Sequence, residues 1–191
     1  MNNLEEVGLF GKMSLDNIHD VQVLAKAISE HPVLRAVKLH DFIINAADHA
    51  DSAPLLEPLL TSASSIDNLE AFQLRCMASY KHWSRSYMTS QVLIPVCQST
   101  RLQRLALSNV GLRDEHFLTI AQEVGDNTNT ALEELILNDN QNSDIGVEAI
   151  AQLLGRNKTI SRLEAHSVNR LGESTCELTL HRLDKNHVIK Y

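Results

Sequence analysis

Residues 102–124, "LQRLALSNVGLRDEHFLTIAQEV", and residues 132–154, "LEELILNDNQNSDIGVEAIAQLL", share one design. Both open with Leu-x-x-Leu-x-Leu, cross a polar turn and continue with apolar residues at helical spacing. The alternating end of the opening fits a short strand with one apolar face, and the later half fits an amphipathic helix.

The opening recurs, more loosely, as "LEEVGL" from Leu4, "LRAVKL" from Leu34, "LEAFQL" from Leu69 and "ISRLEA" from Ile160. Successive starts lie 30, 35, 33, 30 and 28 residues apart, and a further 28 reaches Val188 in "HVIKY", expected as the stub of a seventh strand. The helical halves are marked by Val21, Leu24, Ala25 and Ile28; Leu55, Leu56, Leu59 and Leu60; Leu118, Ala121 and Val124; and Ile150, Leu153 and Leu154. One strand and one helix cannot bury their apolar faces alone, whereas stacked units make a continuous core. The expectation is an α/β solenoid of about six units, a concave parallel sheet with convex helices, forming a single domain over residues 1–191.

These openings, with the continuation Asn140-x-Asn142-x-Asp144-x-Gly146, resemble the leucine-rich repeat family of the ribonuclease-inhibitor type. In that pattern the Asn140 slot carries an asparagine or cysteine that bonds exposed backbone, and the Asn142 slot is usually leucine. Phe42, Met77, Val110 and Val168 fill the first slot in the other units. The resemblance implies a protein-binding module that blocks or modulates an enzyme by covering its active site. Short proteins of this type also occur among effectors that intracellular bacteria deliver into host cells.

Composition agrees with a folded domain: 191 residues, 43% hydrophobic, can bury a sizeable core. A formal charge of −7 disfavours coating nucleic acid. Cys76, Cys97 and Cys176 form neither an even disulfide set nor a Cys-x-x-Cys motif, so a reduced, cytoplasmic setting is expected, in a host cell's cytosol for a delivered effector. No apolar run is long enough to insert in a membrane, and "MNNLEEVGLFGK" lacks the basic and apolar regions of a cleaved secretory leader.

Strand positions facing away from the core make the expected binding surface. They are Glu6, Gly8, Phe10; Ala36, Lys38, His40; Ala71, Gln73, Arg75; Arg104, Ala106, Ser108; Glu134, Ile136, Asn138; and Arg162, Glu164, His166. Both charge signs occur among them, which suits a protein partner better than a phosphate backbone. The units from Leu34 and Leu69 are the longest, and their extra residues are expected between strand and helix. There "SYKHWSRSYM", residues 79–88, gathers three of the chain's eight aromatic residues, and Pro95 is expected to interrupt the following helix. Trp, Tyr and Arg on such loops are the residue types that dominate binding hot spots. The candidate partner-binding residues are Phe10, Lys38, His40, Asp41, Arg75, Tyr80, His82, Trp83, Arg85, Arg104, Asn109, Glu134 and Asn138.

Catalytic, metal and cofactor motifs are missing: the nine histidines are scattered over different units, without His-Glu-x-x-His, a phosphate-cradling glycine loop or a Gly-x-Ser-x-Gly elbow. A non-enzymatic binding protein without metal or cofactor is therefore expected. The alternatives are a small hydrolase or transferase using His40, Asp41 and Cys76, or a fragment of a larger sensor whose solenoid ends are covered by other domains or by self-association. "NKT" at Asn157 satisfies the N-glycosylation pattern as an accident of a polar junction.

Overall fold

The computed structural model describes residues 4–12, 14–15, 18–44, 55–77, 87–126, 131–168, 174–183 and 186–190. Of these, residues 15, 44, 126, 167, 168, 174–183 and 186–190 are described by backbone alone. In chain order the elements are β1 (Glu6–Phe10), β2 (Ser14–Leu15), α1 (Ile18–Ser29), β3 (Ala36–Ile44), α2 (Glu57–Ser64) and β4 (Ala71–Met77). A 3-10 turn (Ser90–Val92) then runs into α3 (Leu93–Cys97), followed by β5 (Arg104–Ser108), α4 (Asp114–Asp126) and β6 (Glu134–Ile136). The chain ends with α5 (Asp144–Arg156), β7 (Arg162–Val168), β8 (Ser174–Leu183) and β9 (Asn186–Lys190).

Strands β1, β3, β4, β5, β6 and β7 lie side by side in chain order and all run parallel, and the helices fall between them in sequence. Their pairing aligns the openings position for position: Glu6, Ala36, Ala71, Arg104, Glu134 and Arg162 form one row across the sheet. One residue on, Val37, Phe72, Leu105, Leu135 and Leu163 are all fully buried. The alternation exists because a strand turns successive side chains to opposite faces, and each buried Leu or Phe contributes roughly 1.5–3 kcal/mol. Helix packs on neighbouring helix from α1 to α5, closing the other side of this core.

Val21, Ala25 and Ile28 of α1 and Ile150 and Leu153 of α5 are buried as expected. In α4 the buried stripe is Phe117, Ile120, Ala121 and Val124, at spacings of three, one and three, and Leu118 is exposed. Leu118 was expected on the apolar face, but one residue past Phe117 it lies about 100° around the helix from it. Pro95 sits in the short α3, which ends at Cys97. Between strand and helix, the third and fourth strands leave residues 45–56 and 78–89, against 109–113 and 137–143 later, so the extra length falls where expected.

Toward or just past the end of four strands the described backbone shows a recurring solution. Gly11, Asp41, Asn109 and Asp139 all have positive φ, at 127°, 65°, 55° and 60°. Gly, Asn and Asp are the residues that tolerate this region, and at Asp41 it coincides with a register shift between β3 and β4. Behind the last of these turns Asn140 is fully buried and fully bonded. Its Oδ1 accepts from the N–H groups of Val110 and Leu112, both at 3.1 Å, and its Nδ2 donates to the carbonyls of Leu107 (2.8 Å), Leu137 (2.9 Å) and Asn138 (3.2 Å).

Helix starts are tied across units in the same spirit. Asp114, the first residue of α4, accepts from the backbone N–H (2.8 Å) and hydroxyl (2.7 Å) of Ser143, the N-cap of α5, and from the N–H of Gly146 (3.0 Å). Glu57, the first residue of α2, accepts from the N–H and hydroxyl of Thr89, which caps the 3-10 turn. A carboxylate at a helix start thus satisfies donors that the next helix leaves open. At the helix ends, Ser99 Oγ accepts from the N–H groups of Arg101 and Leu102, and Asn157 Oδ1 from those of Thr159 and Ile160.

The parallel order stops at β7. β8 pairs with β7 antiparallel and β9 with β8 antiparallel. Val188 is in a strand as expected, but it faces His181 in a hairpin instead of continuing the parallel series.

Candidate functional site

The open face of the sheet, opposite the helices, carries three rows of side chains set by the strand register. The first row is Glu6, Ala36, Ala71, Arg104, Glu134 and Arg162, and the second is Gly8, Lys38, Gln73, Ala106, Ile136 and Glu164. In the third, Phe10, His40, Arg75 and Ser108 are aligned.

Charges of the first two rows are organised in pairs. Arg35 grips Glu70 through three contacts of 2.7, 2.9 and 3.0 Å and lies 3.9 Å from Glu5. Lys38 bonds Glu6. Arg104 holds both oxygens of Glu134 at 2.6 and 2.9 Å. Arg162 holds Glu164 at 2.6 Å and stands 3.5 Å from Glu134, and Asn138 Nδ2 donates to Glu164 at 2.9 Å. The Arg35 and Arg162 guanidiniums are held above the usual arginine range, first by their hydrogen bonds to Glu70 and Glu164. Exposed pairs of this kind contribute little to stability, so their weight here is in fixing where charge is displayed.

Between the long arms the floor is small. Ala36 and Ala71 leave a hollow of about 390 Å³ lined also by Glu5, Glu6, Arg35, Lys38, Glu70, Gln103, Arg104, Glu133 and Glu134. Five carboxylates meet three cations, and each of the cations is already paired within the chain.

Further along the strands the face changes character. Phe10 is two-thirds exposed, its ring packing edge-on against His40 at 5.2 Å between centroids. That ring lies over Gly8, where a Cβ would come within 2.5 Å of it. His40 Nε2 donates to Gln73 Oε1 at 3.2 Å, and beside it Arg75 is exposed, with no carboxylate partner among the described residues.

Of the sequence-derived candidates, Phe10, Lys38, His40, Arg75, Arg104, Glu134 and Asn138 share this face. Asp41 has positive φ at the register shift inside β3 and Asn109 in the turn after β5, where it spends its side chain on the carbonyl of Cys76 at 2.8 Å. Asn138 accepts from the N–H of His166 at 3.1 Å as well as donating to Glu164. Tyr80, His82, Trp83 and Arg85 lie outside the described residues. Five residues lining the hollow were not singled out: Glu5, Arg35, Glu70, Gln103 and Glu133. A signal existed, because each is the first x of a Leu-x-x-Leu opening, a position that is charged or polar in every unit.

His40 and Cys76 are on opposite faces of the sheet. Cys76 is buried in the core, where burial pushes its thiol up to about 12, and Cys97 is pushed equally far by burial and by Glu123. His116 is fully buried and held at both nitrogens: Nδ1 accepts from the N–H of Arg113 at 3.1 Å and Nε2 donates to the carbonyl of Met88 at 3.0 Å. Asn157, the residue of the glycosylation pattern, is buried and donates to the carbonyl of Val124. Among the described residues no group of His, Cys, Asp and Glu is arranged to hold a metal, and no helix is long and apolar enough to cross a membrane.

No known protein family matches the chain, and no curated protein matches it.

Proposed function

We propose that the chain is a leucine-rich repeat protein of the ribonuclease-inhibitor type that binds a protein partner across the open face of its sheet. The register of the six parallel strands supports the family reading, as does Asn140, which bonds the backbone of two successive units from the slot that such repeats reserve for asparagine. The observation that carries the binding reading is the face itself. Charged side chains are held in fixed pairs around a hollow, with an exposed aromatic and an exposed arginine beside them. Pre-organised charges steer encounter and select a partner, while an aromatic anchor and an arginine contribute affinity. Covering an enzyme's active site in this way inhibits it, which is the form of action the family resemblance suggests. The mixed charge disfavours nucleic acid as the partner.

Affinity capture with the purified chain, followed by binding measurements on the captured partner, tests the reading. Phe10→Ala with Arg75→Glu is expected to weaken binding by at least about tenfold, and Lys38→Glu with Arg104→Glu to slow association most at low salt. Folded variants that bind as tightly and as fast as the parent refute this placement of the site.

A further inference from the structure

The two edges of the sheet are finished differently. At one edge the antiparallel strands β8 and β9 extend the sheet beyond the last parallel strand. At the other, among the described residues, no strand pairs with the outer side of β1. Apolar exposure gathers at that end: of seven exposed large apolar side chains among the described residues, Leu4, Phe10, Val23 and Val33 belong to the first unit, and the other three are scattered over later ones. Edge strands are ordinarily protected by charge, proline or a bulge, and in β1, "EVGLF", the one charge is Glu6 at its start, already bonded to Lys38, with no charge or proline after it.

The backbone direction is fixed as well. The Glu5 carbonyl accepts from the N–H groups of Arg35 and Ala36, so it points at β3. Alternation along the strand then turns Val7 and Leu9 toward β3 and leaves the N–H and C=O groups of Glu6, Gly8 and Phe10 on the free edge. β1 has five residues, with Gly8 at its centre.

We infer that β1 pairs antiparallel with β1 of a second copy of this chain, about a two-fold axis at Gly8, to make a sheet that is continuous through both. In that register Gly8 faces Gly8, Glu6 faces Phe10 and Val7 faces Leu9. All three outward-facing residues find reciprocal hydrogen bonds, and no two like charges are opposed. Lys12 of one copy lies diagonally across from Glu6 of the other, so the charges flanking the strand are complementary. The open end is a single self-complementary patch, as a closed two-fold interface requires. This edge adjoins the open face proposed for the partner and shares Phe10 with it, the backbone of Phe10 serving the edge and its ring the face.

Sedimentation equilibrium of the purified chain over a range of concentrations is expected to show a species of about 43 kDa, twice the 21.3 kDa monomer. Gly8→Pro removes an outward N–H and is expected to weaken association by roughly tenfold to a hundredfold, whereas Gly8→Ala, which adds the same Cβ against the Phe10 ring but keeps that N–H, remains a dimer. Hydrogen exchange on the unmutated chain gives a second readout. The Glu6, Gly8 and Phe10 amides gain protection as concentration rises, while Val7 and Leu9, bonded to β3, stay protected throughout. A chain that is monomeric at every concentration, a dimer unaffected by Gly8→Pro, or exchange at Gly8 that does not depend on concentration overturns the proposal.

Discussion

Replacing Asn142 with leucine should make the protein more stable. The side chain is 7% exposed, and neither Oδ1 nor Nδ2 has a hydrogen-bond partner. A buried amide left unpaired costs about 1–3 kcal/mol of desolvation. The sheet register places Asn142 one unit on from Leu112, which is fully buried at the same offset of 30 residues. Leucine has the same branching and the same number of side-chain heavy atoms as asparagine, so the swap removes two orphaned polar atoms without adding bulk at the tight point. That point is the Cβ of Asn142, 2.9 Å from where a Cβ on Gly146 would stand, and leucine keeps it unchanged. The expected gain is about 1–3 kcal/mol, equivalent to a rise in Tm of roughly 2–10 °C for a domain of this size. Urea unfolding followed by circular dichroism reads it as a higher midpoint at an unchanged m-value. A midpoint that stays put or falls refutes the reasoning, since it means that the amide is worth more in place than removed.

Asp114→Ala deletes three hydrogen bonds to the start of α5 and should cost about 1.5–3 kcal/mol, measured by the same unfolding experiment. Two glycines of α5 should respond in opposite directions. Gly146→Ala drives a methyl to within 2.8 Å of Asp114 Oδ1 and 2.9 Å of Asn142 Cβ and should destabilise by about 1 kcal/mol net. Gly155→Ala meets nothing within 4 Å and should stabilise by up to about 1 kcal/mol. In a Cys176→Ser background, Cys76 and Cys97 should resist a thiol reagent at pH 8 in the native protein and react once it is unfolded. Their raised values also set a pH window. Below about pH 9 the thiols are neutral in both states. Between there and about pH 12 only the unfolded chain ionises, so stability should fall by about 1.4 kcal/mol per pH unit for each thiol.

Much of the sheet was legible in the order of residues because one face of each strand is buried and the other open, so register follows from where the leucines stand. Leu105 and Leu135 become neighbours for the same reason that they look alike in sequence. The helix starts were less legible. The carboxylates of Glu57 and Asp114 act across 29 to 32 residues of chain, and nothing local to either marks its partner. The hollow was half legible: Lys38, Arg104 and Glu134 follow from strand alternation, but Arg35 and Glu70 precede their strands and reach it only through the length of their side chains. The closing hairpin was missed because Val188 falls on the period. Signals against a sixth helix were present in Cys176, Leu178 and Leu180, which alternate as a strand does, and in the polar "DKN", residues 184–186.

The reversal of chain direction at β8 limits how such a protein can grow. A unit copied in tandem must enter and leave in the same direction as its neighbours, which is possible between β3 and β7 but not beyond β7, where the next strand already runs the other way. At that end, lengthening by duplication is therefore confined to positions before β7. The 30-residue step from Arg104 to Glu134 is the natural insert, since its ends already meet a strand of matching register on either side. A seven-unit version made by repeating residues 104–133 should keep its terminal hairpin, whereas the same segment appended after Lys190 would find no parallel edge on which to dock.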